Sequence, residues 1–247
     1  MRAAITCFMF GATRSAFLVL LFLSWAAAAR KPALSVLRWS PSAPGCTFRN
    51  AEDGRTYYEL SSGDLEVTLA VDSRELEKIP HRALPMFGAL LTFRYRGNTQ
   101  LAIPQARFAL EFVKHSHVIK TAMDADDMLQ RLQEDVDDLT DEIERHDIRK
   151  HPDQKQQKEA ELQARLKDYT EMMDFISTHA LRSAVLSTAS PTVSGWVFFG
   201  IKDRWIGPWR KPEQFVLQLP MAGFVVEFPF SLPPQSGHVE LRRREQP

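Results

Sequence analysis

Hydrophobic and polar residues alternate along most of this chain, and one long central stretch keeps a different period. In "LEVTLAV", Leu65, Val67 and Leu69 alternate with Glu66 and Thr68, the two-residue period of a strand with one buried face. "YYEL" precedes it across the turn cluster "SSGD". "GALLTFRYRG" places Leu91, Phe93 and Tyr95 on one side and Thr92, Arg94 and Arg96 on the other, and Gly97-Asn98 then marks a turn. "RFALEFV" gathers Phe108, Leu110 and Phe112 on a buried face. "SGWVFFGI", "QFVLQLP" and "GFVVEFPF" read as further strands, the last two linked by "PMAG". "HVELRRR" reads as a final edge strand or a basic tail.

The central period is helical. Ala122, Ala125, Leu129, Leu132, Val136, Leu139 and Ile143 recur at steps of three and four, and so do Leu162, Leu166, Tyr169, Met173, Ile176 and Ala180. Both series have the spacing of a coiled-coil seam. Asp124, Asp126 and Asp127 suit the positive end of a first helix, Arg149 and Lys150 its other end, and Pro152 interrupts it. Two such helices bury their seams by folding back on each other. At 1.5 Å per residue, arms of about 28 residues reach roughly 40 Å, more than a small β-domain covers. Part of the hairpin is therefore predicted to project.

Roughly seven short strands, with no helical crossover outside the centre, predict a mainly β fold with a helical insertion. The arrangement expected is an Ig-like antiparallel β-sandwich carrying a long antiparallel coiled-coil hairpin; a small barrel is the alternative. The hairpin returns its ends close together, so it can interrupt a domain without distorting it. The boundaries expected are a β-domain made of 30–121 and 183–247, with the hairpin at 122–182.

The N-terminus adds a compartment. "MRAAITCFMFGATR", the apolar "SAFLVLLFLSW" and the small-residue "AAAAR" have the form of a signal peptide over 1–29, cut after Ala28 or Ala29. A retained anchor is the alternative, although the apolar run falls short of the roughly 20 residues of a span. The mature protein is expected to be exported, periplasmic or extracellular, with no transmembrane segment. Residues 30–45 read as an extended leader. Cys7 leaves with the signal peptide, so Cys46 has no partner within the chain. It is expected to be a small apolar core residue, or else an intermolecular thiol. Thirty-one basic residues balance 31 acidic ones, which removes nucleic acid as an obligatory partner.

The charge is unevenly placed. Residues 122–150 hold eleven Asp/Glu against four Lys/Arg, while 154–182 hold five of each. Glu134, Asp137, Asp138, Asp141 and Glu142 form either a solvated helix face or an acidic docking surface. The segment has no glycine and a helical period, which argues against a calcium loop. "KHSHV" sets His115 and His117 two apart at a strand end, on one face, which is half a metal site at most. Surface histidines at the base of the hairpin are expected, with His81 and His179 joining them only through tertiary structure. "KDRWIGPWRKP" clusters Arg204, Trp205, Trp209 and Arg210, the aromatic-plus-donor composition of a ligand loop; the alternative is that both indoles close the sandwich. Asp72 and Glu75 have capping-box spacing. No catalytic or phosphate-binding motif occurs, so neither enzymatic activity nor a cofactor is expected.

Taken together, "LAVDSRELEK", "LEFVKHSHV", "SGWVFFG" and "FVLQLP" resemble uncharacterised exported bacterial proteins in which a helical hairpin interrupts an Ig-like sandwich. The resemblance covers most of the mature chain and implies an envelope location and a sandwich, but no functional residues. The function expected is non-enzymatic: the hairpin mediates contact with an envelope protein partner, or self-association. The alternative is a glycan or cell-wall ligand held at Trp205 and Trp209.

Overall fold

A computed structural model of the chain describes residues 34–52, 54–71, 86–143, 152–200 and 213–232. Every element named here belongs to one unit, Ser35–Pro247. Among the described residues the strands are β1 (Ser35–Arg38), β2 (Cys46–Asn50), β3 (Thr56–Ser62), β4 (Leu65–Val71), β5 (Met86–Tyr95), β6 (Leu101–Ile103), β7 (Ala109–Phe112) and β8 (Val118–Thr121). Helices α1 (Ala125–Glu142) and α2 (Lys155–His179) follow, then β9 (Ala184–Leu186), β10 (Thr192–Gly200), β11 (Glu213–Pro220) and β12 (Phe224–Leu232). Pro152 opens a short 3-10 turn ahead of α2.

The alternation read from the sequence decides the layers. One five-stranded sheet runs β1-β12-β11-β7-β8, the other β10-β5-β4-β3-β2, and β6 pairs β9 separately. Val67, Leu69, Leu91 and Phe93 of the second sheet share one core with Leu110, Phe112, Phe215, Leu217, Phe228 and Phe230 of the first. Aromatic rings tie the core together: Phe215 stacks on Phe230 at 5.0 Å and on Phe87 at 5.4 Å, and Phe87 and Phe230 are 6.1 Å apart, so the three form a mutual cluster. Each such side chain contributes about 1.5–3 kcal/mol by leaving water. The result is a mainly β, sandwich-like arrangement with two helices.

Two sequence expectations need correcting. The sandwich is not wholly antiparallel, because β1 runs parallel to β12 with Leu37 beside Val226 and Arg38 beside Glu227. From β1 the chain does not hairpin back but crosses to β2, the edge of the other sheet. Trp39 anchors the crossing, buried in the core with its indole N–H donating to Thr47 O at 3.1 Å. Gly45, with φ +78°, then lies so close to the Ser61 carbonyl that a Cβ would collide with it. A crossing strand is free of the reversal that a tight turn imposes. Residues 35–38 of the expected leader are thus a strand.

The second correction concerns strands not read at all. Besides β1, the strands β2, β6, β8 and β9 were not predicted, and each has three to five residues. Most of their positions are exposed or half-buried, as in Val118–Thr121. With no more than two side chains facing a core, as Leu101 and Ile103 of β6 do, strands this short leave almost no readable alternation in the sequence. Cys46, on the edge strand β2, is half-buried and packs against the core.

Candidate functional site

The helix pair is joined to the sandwich at one edge strand, β10. Met123, just before α1, donates its N–H to Phe198 O at 2.8 Å, and Leu181, just after α2, donates to Trp196 O at 2.8 Å. The two acceptors are two residues apart, so both face the open edge of β10. The start of α1 and the end of α2 are therefore held side by side. Arg182 closes the same joint by pairing both carboxylate oxygens of Asp126, at 2.8 and 2.9 Å.

Below the helices, the outer face of the second sheet is apolar. Met86, Gly88 and Leu90 on β5 stand opposite Gly200, Phe198 and Trp196 on β10. A Cβ at Gly88 would lie 3.3 Å from the Trp196 ring and 3.5 Å from that of Phe198, so glycine leaves room for both rings. Ala125, Met128 and Leu132 of α1 and Met172 and Ile176 of α2 complete this second cluster. Phe175 lies over Trp196, centroids 5.7 Å apart, with His179 stacked on it at 4.8 Å. Farther along the same sheet face, Thr92, Ser194, Glu66 and Arg94 are polar and hydrogen-bonded to each other in pairs.

The helix seams read from the sequence are displaced at this base. Leu132, Ile143, Leu162 and Ile176 are buried as expected, but Met128 and Met172 are buried in place of Leu129 and Met173, which are half-buried. A seam rule assumes one apolar face per helix. Here the first turns of α1 and the last of α2 face both each other and the sheet.

The charges of the two helices are disposed differently. On α2 the cations engage α2's own glutamates: Arg165 reaches Glu161 at 2.7 Å, and Lys155–Glu159, Lys158–Glu161 and Lys167–Glu171 lie at 3.6–3.7 Å. On α1, Glu134 and Asp137 accept from the neutral amides of Gln130 and Gln133, at 2.9 and 3.0 Å. Among the described residues, Glu134, Asp137, Asp138 and Glu142 form no ion pair; these four and Asp141 are all exposed. Asp135, half-buried beside them, shows the resulting field. Desolvation, followed by the charges of Asp138 and Glu134, raises its carboxyl above the usual range. Across the helix pair, Tyr169 is raised too, by burial and then by the charge of Asp135.

His115 and His117 do not share a face as their spacing predicts. His115 and His117 belong to the turn between β7 and β8, where Ser116 and His117 take φ values of 56° and 57°. Val118 N–H closes this turn on His115 O at 3.2 Å. Positive φ at both central positions is the form of the primed hairpin turns, and it breaks the rule that alternate residues share a face. His115 Nε2 lies 3.3 Å from Glu213 Oε2, and His117 Nδ1 lies 2.5 Å from Glu111 Oε1. Glu213 shares the inward face of Phe215, two residues on, whereas Glu111 sits between the inward Leu110 and Phe112 and points the other way. The two imidazoles thus reach carboxylates on opposite faces of the sheet. No group of three potential metal ligands forms among the described residues.

Arg204, Trp205, Trp209 and Arg210 lie outside the described residues, as do Asp72, Glu75, His81, the 1–29 segment and "HVELRRR". None of the described helices is long and apolar enough to cross a membrane. Comparison with protein-family models, with curated proteins and with solved structures finds no match to this chain.

Proposed function

We propose that this is an exported, non-enzymatic protein in which an Ig-like sandwich carries α1 and α2 as a coiled-coil hairpin, and that α1 docks a basic partner protein of the cell envelope. The observation that carries the reading is the unequal treatment of charge on two neighbouring helices. Lys155, Arg165 and Lys167 engage α2's own glutamates, whereas among the described residues the outward Glu134, Asp137, Asp138 and Glu142 of α1 form no ion pair, so their field is open to another molecule. Two backbone hydrogen bonds tie the start of α1 and the end of α2 to β10, which favours docking because an anchored surface loses less freedom on binding. Self-association through this same face is disfavoured, since two like-charged surfaces repel.

The test exchanges charge without changing shape. Glu134→Gln, Asp137→Asn, Asp138→Asn and Glu142→Gln in one variant preserve helix length and side-chain size. Crosslinking and mass spectrometry on intact cell envelopes should recover a basic partner with the parent and lose it with the variant. In vitro, binding should weaken as salt rises, because exposed charges are screened within about 8 Å at physiological ionic strength. An unchanged partner list for the variant, or for a chain in which Glu134–Ile176 is replaced by a short turn, removes this function from the helices.

A further inference from the structure

The chain has eight methionines, and beyond Met1 and Met9 six remain. Five of those six, Met86, Met123, Met128, Met172 and Met173, lie in the cluster between the helix pair and the second sheet, together with Trp196 and Phe198. The sixth, Met221, belongs to the sandwich core. Such a concentration has a physical consequence, because thioethers are the adaptable and oxidisable members of an apolar layer.

Exposure is graded within the cluster. Met86, Met128 and Met172 are buried, while Met123 and Met173 are half-buried at its rim. Met123 is also part of the joint itself, since its N–H is held by Phe198 O. A Cβ at Gly200 would stand 3.2 Å from Met123 Sδ, so glycine lets the sulfur settle directly on the β10 backbone. An oxygen added to that sulfur places a polar, bulkier group against the β10 backbone, at the rim of a layer made mostly of Met, Phe, Leu, Ala and Ile side chains.

We propose that this methionine layer is an oxidation-sensitive joint, which fastens the helix pair to β10 while its thioethers are reduced and releases it when they carry oxygen. The co-reactant is a two-electron oxidant of the peroxide class. A sulfur lone pair attacks one peroxide oxygen, the O–O bond breaks, the sulfur becomes a sulfoxide and the other oxygen leaves as water. Met123 and Met173 react first because they are accessible. Their sulfoxides are polar and bulkier, and burying such a group without a partner is unfavourable. The joint then opens at Met123 and Leu181, and the buried thioethers become reachable in turn. The inference does not depend on which partner α1 engages.

The experiment treats the full-length mature protein with hydrogen peroxide and reads each methionine by peptide mass spectrometry. Hydrogen exchange is followed on the same samples. Met123 and Met173 should gain oxygen before Met128, Met172 and Met221. Exchange at the Met123 and Leu181 amides should accelerate about tenfold or more, with Val67 and Leu91 unchanged as core references. Methionine sulfoxide reductase should restore protection. Met123→Leu with Met173→Leu, which conserves volume, should fold with the same protection and no longer respond. Sulfoxides at both positions with unchanged protection overturn the proposal. So does Met221 reacting as fast as Met123, or a double variant that still opens.

Discussion

Gly195 and Leu181 touch backbone to backbone: a Cβ at Gly195 would lie 2.6 Å from Leu181 N and 2.7 Å from its Cα. The contact brings the chain leaving α2 onto the edge of β10, where Leu181 N–H meets Trp196 O. No L side chain larger than hydrogen fits between them without moving one backbone or the other. Gly195→Ala should therefore destabilise the fold by about 1–3 kcal/mol, the usual penalty of forcing atoms into a packed site. Denaturant midpoints measure the loss, and hydrogen exchange should place it first at Leu181. An unchanged exchange rate there means that the joint is not where the helices are held.

Asp135 tests whether the acidic face is under mutual repulsion. Its carboxyl is raised by desolvation and then by Asp138 and Glu134, so the folded state binds the proton more tightly than the unfolded state does. The charged form is thus disfavoured by folding. That penalty is absent at acid pH and sets in as pH rises from the ordinary carboxylate range through the raised value. Asp135→Asn should be more stable than the parent at neutral pH, by about 0.2–0.5 kcal/mol from the lost repulsion with Asp138, three residues on. Thermal melts at acid pH should coincide.

Glu59 has the opposite sign. The Thr47 hydroxyl, donating at 2.7 Å, is the main group that holds its carboxyl below the usual range, against a partial desolvation and with help from Arg49. Stability from this group is present above the unfolded carboxylate value and lost as pH falls through the lowered one. Thr47→Val should leave the acid-unfolded limit unchanged and lower stability only above it. A pH titration of the melting temperature separates this from a pH-independent packing loss.

Tyr58 is 1% exposed, and its hydroxyl is buried without a hydrogen-bond partner that meets normal geometry; the polar group facing it is the Ser231 backbone. Burial pushes its phenol well above the normal range, so it stays neutral. Its ring, in contrast, packs edge-on to Trp39 at 5.0 Å and Phe48 at 5.1 Å. Tyr58→Phe should be neutral or stabilise by up to about 1 kcal/mol, because only an unsatisfied group is removed. Tyr58→Ala should lose about 3–5 kcal/mol. If chemical denaturation shows Phe as damaging as Ala, the hydroxyl has a partner after all.

Legibility followed burial. Leu65, Val67 and Leu69, or Phe108, Leu110 and Phe112, face a core on one side only, and their alternation predicts the strand and its inward face correctly. The helical period of α1 and α2 was equally plain. The edge strands β1, β2 and β8 were not, because their side chains mostly face solvent and the ladder hydrogen bonds that define them leave no mark on residue type. His115 and His117 misled for a related reason: spacing predicts a shared face only while the backbone stays extended, and the left-handed Ser116 ends that condition.

The sequence by itself determined the class of this protein, mainly β with two amphipathic helices, and the confinement of surplus negative charge to the first of them. Those properties are local, written in periods of two and of three to four and in residue type. Only the tertiary structure decided that β1 lies parallel to β12, that both helix ends dock on β10, and that five methionines meet beneath them. Each of these is a contact between residues far apart in the chain. It depends on which edges and faces remain open once the core has closed, and no local period records that.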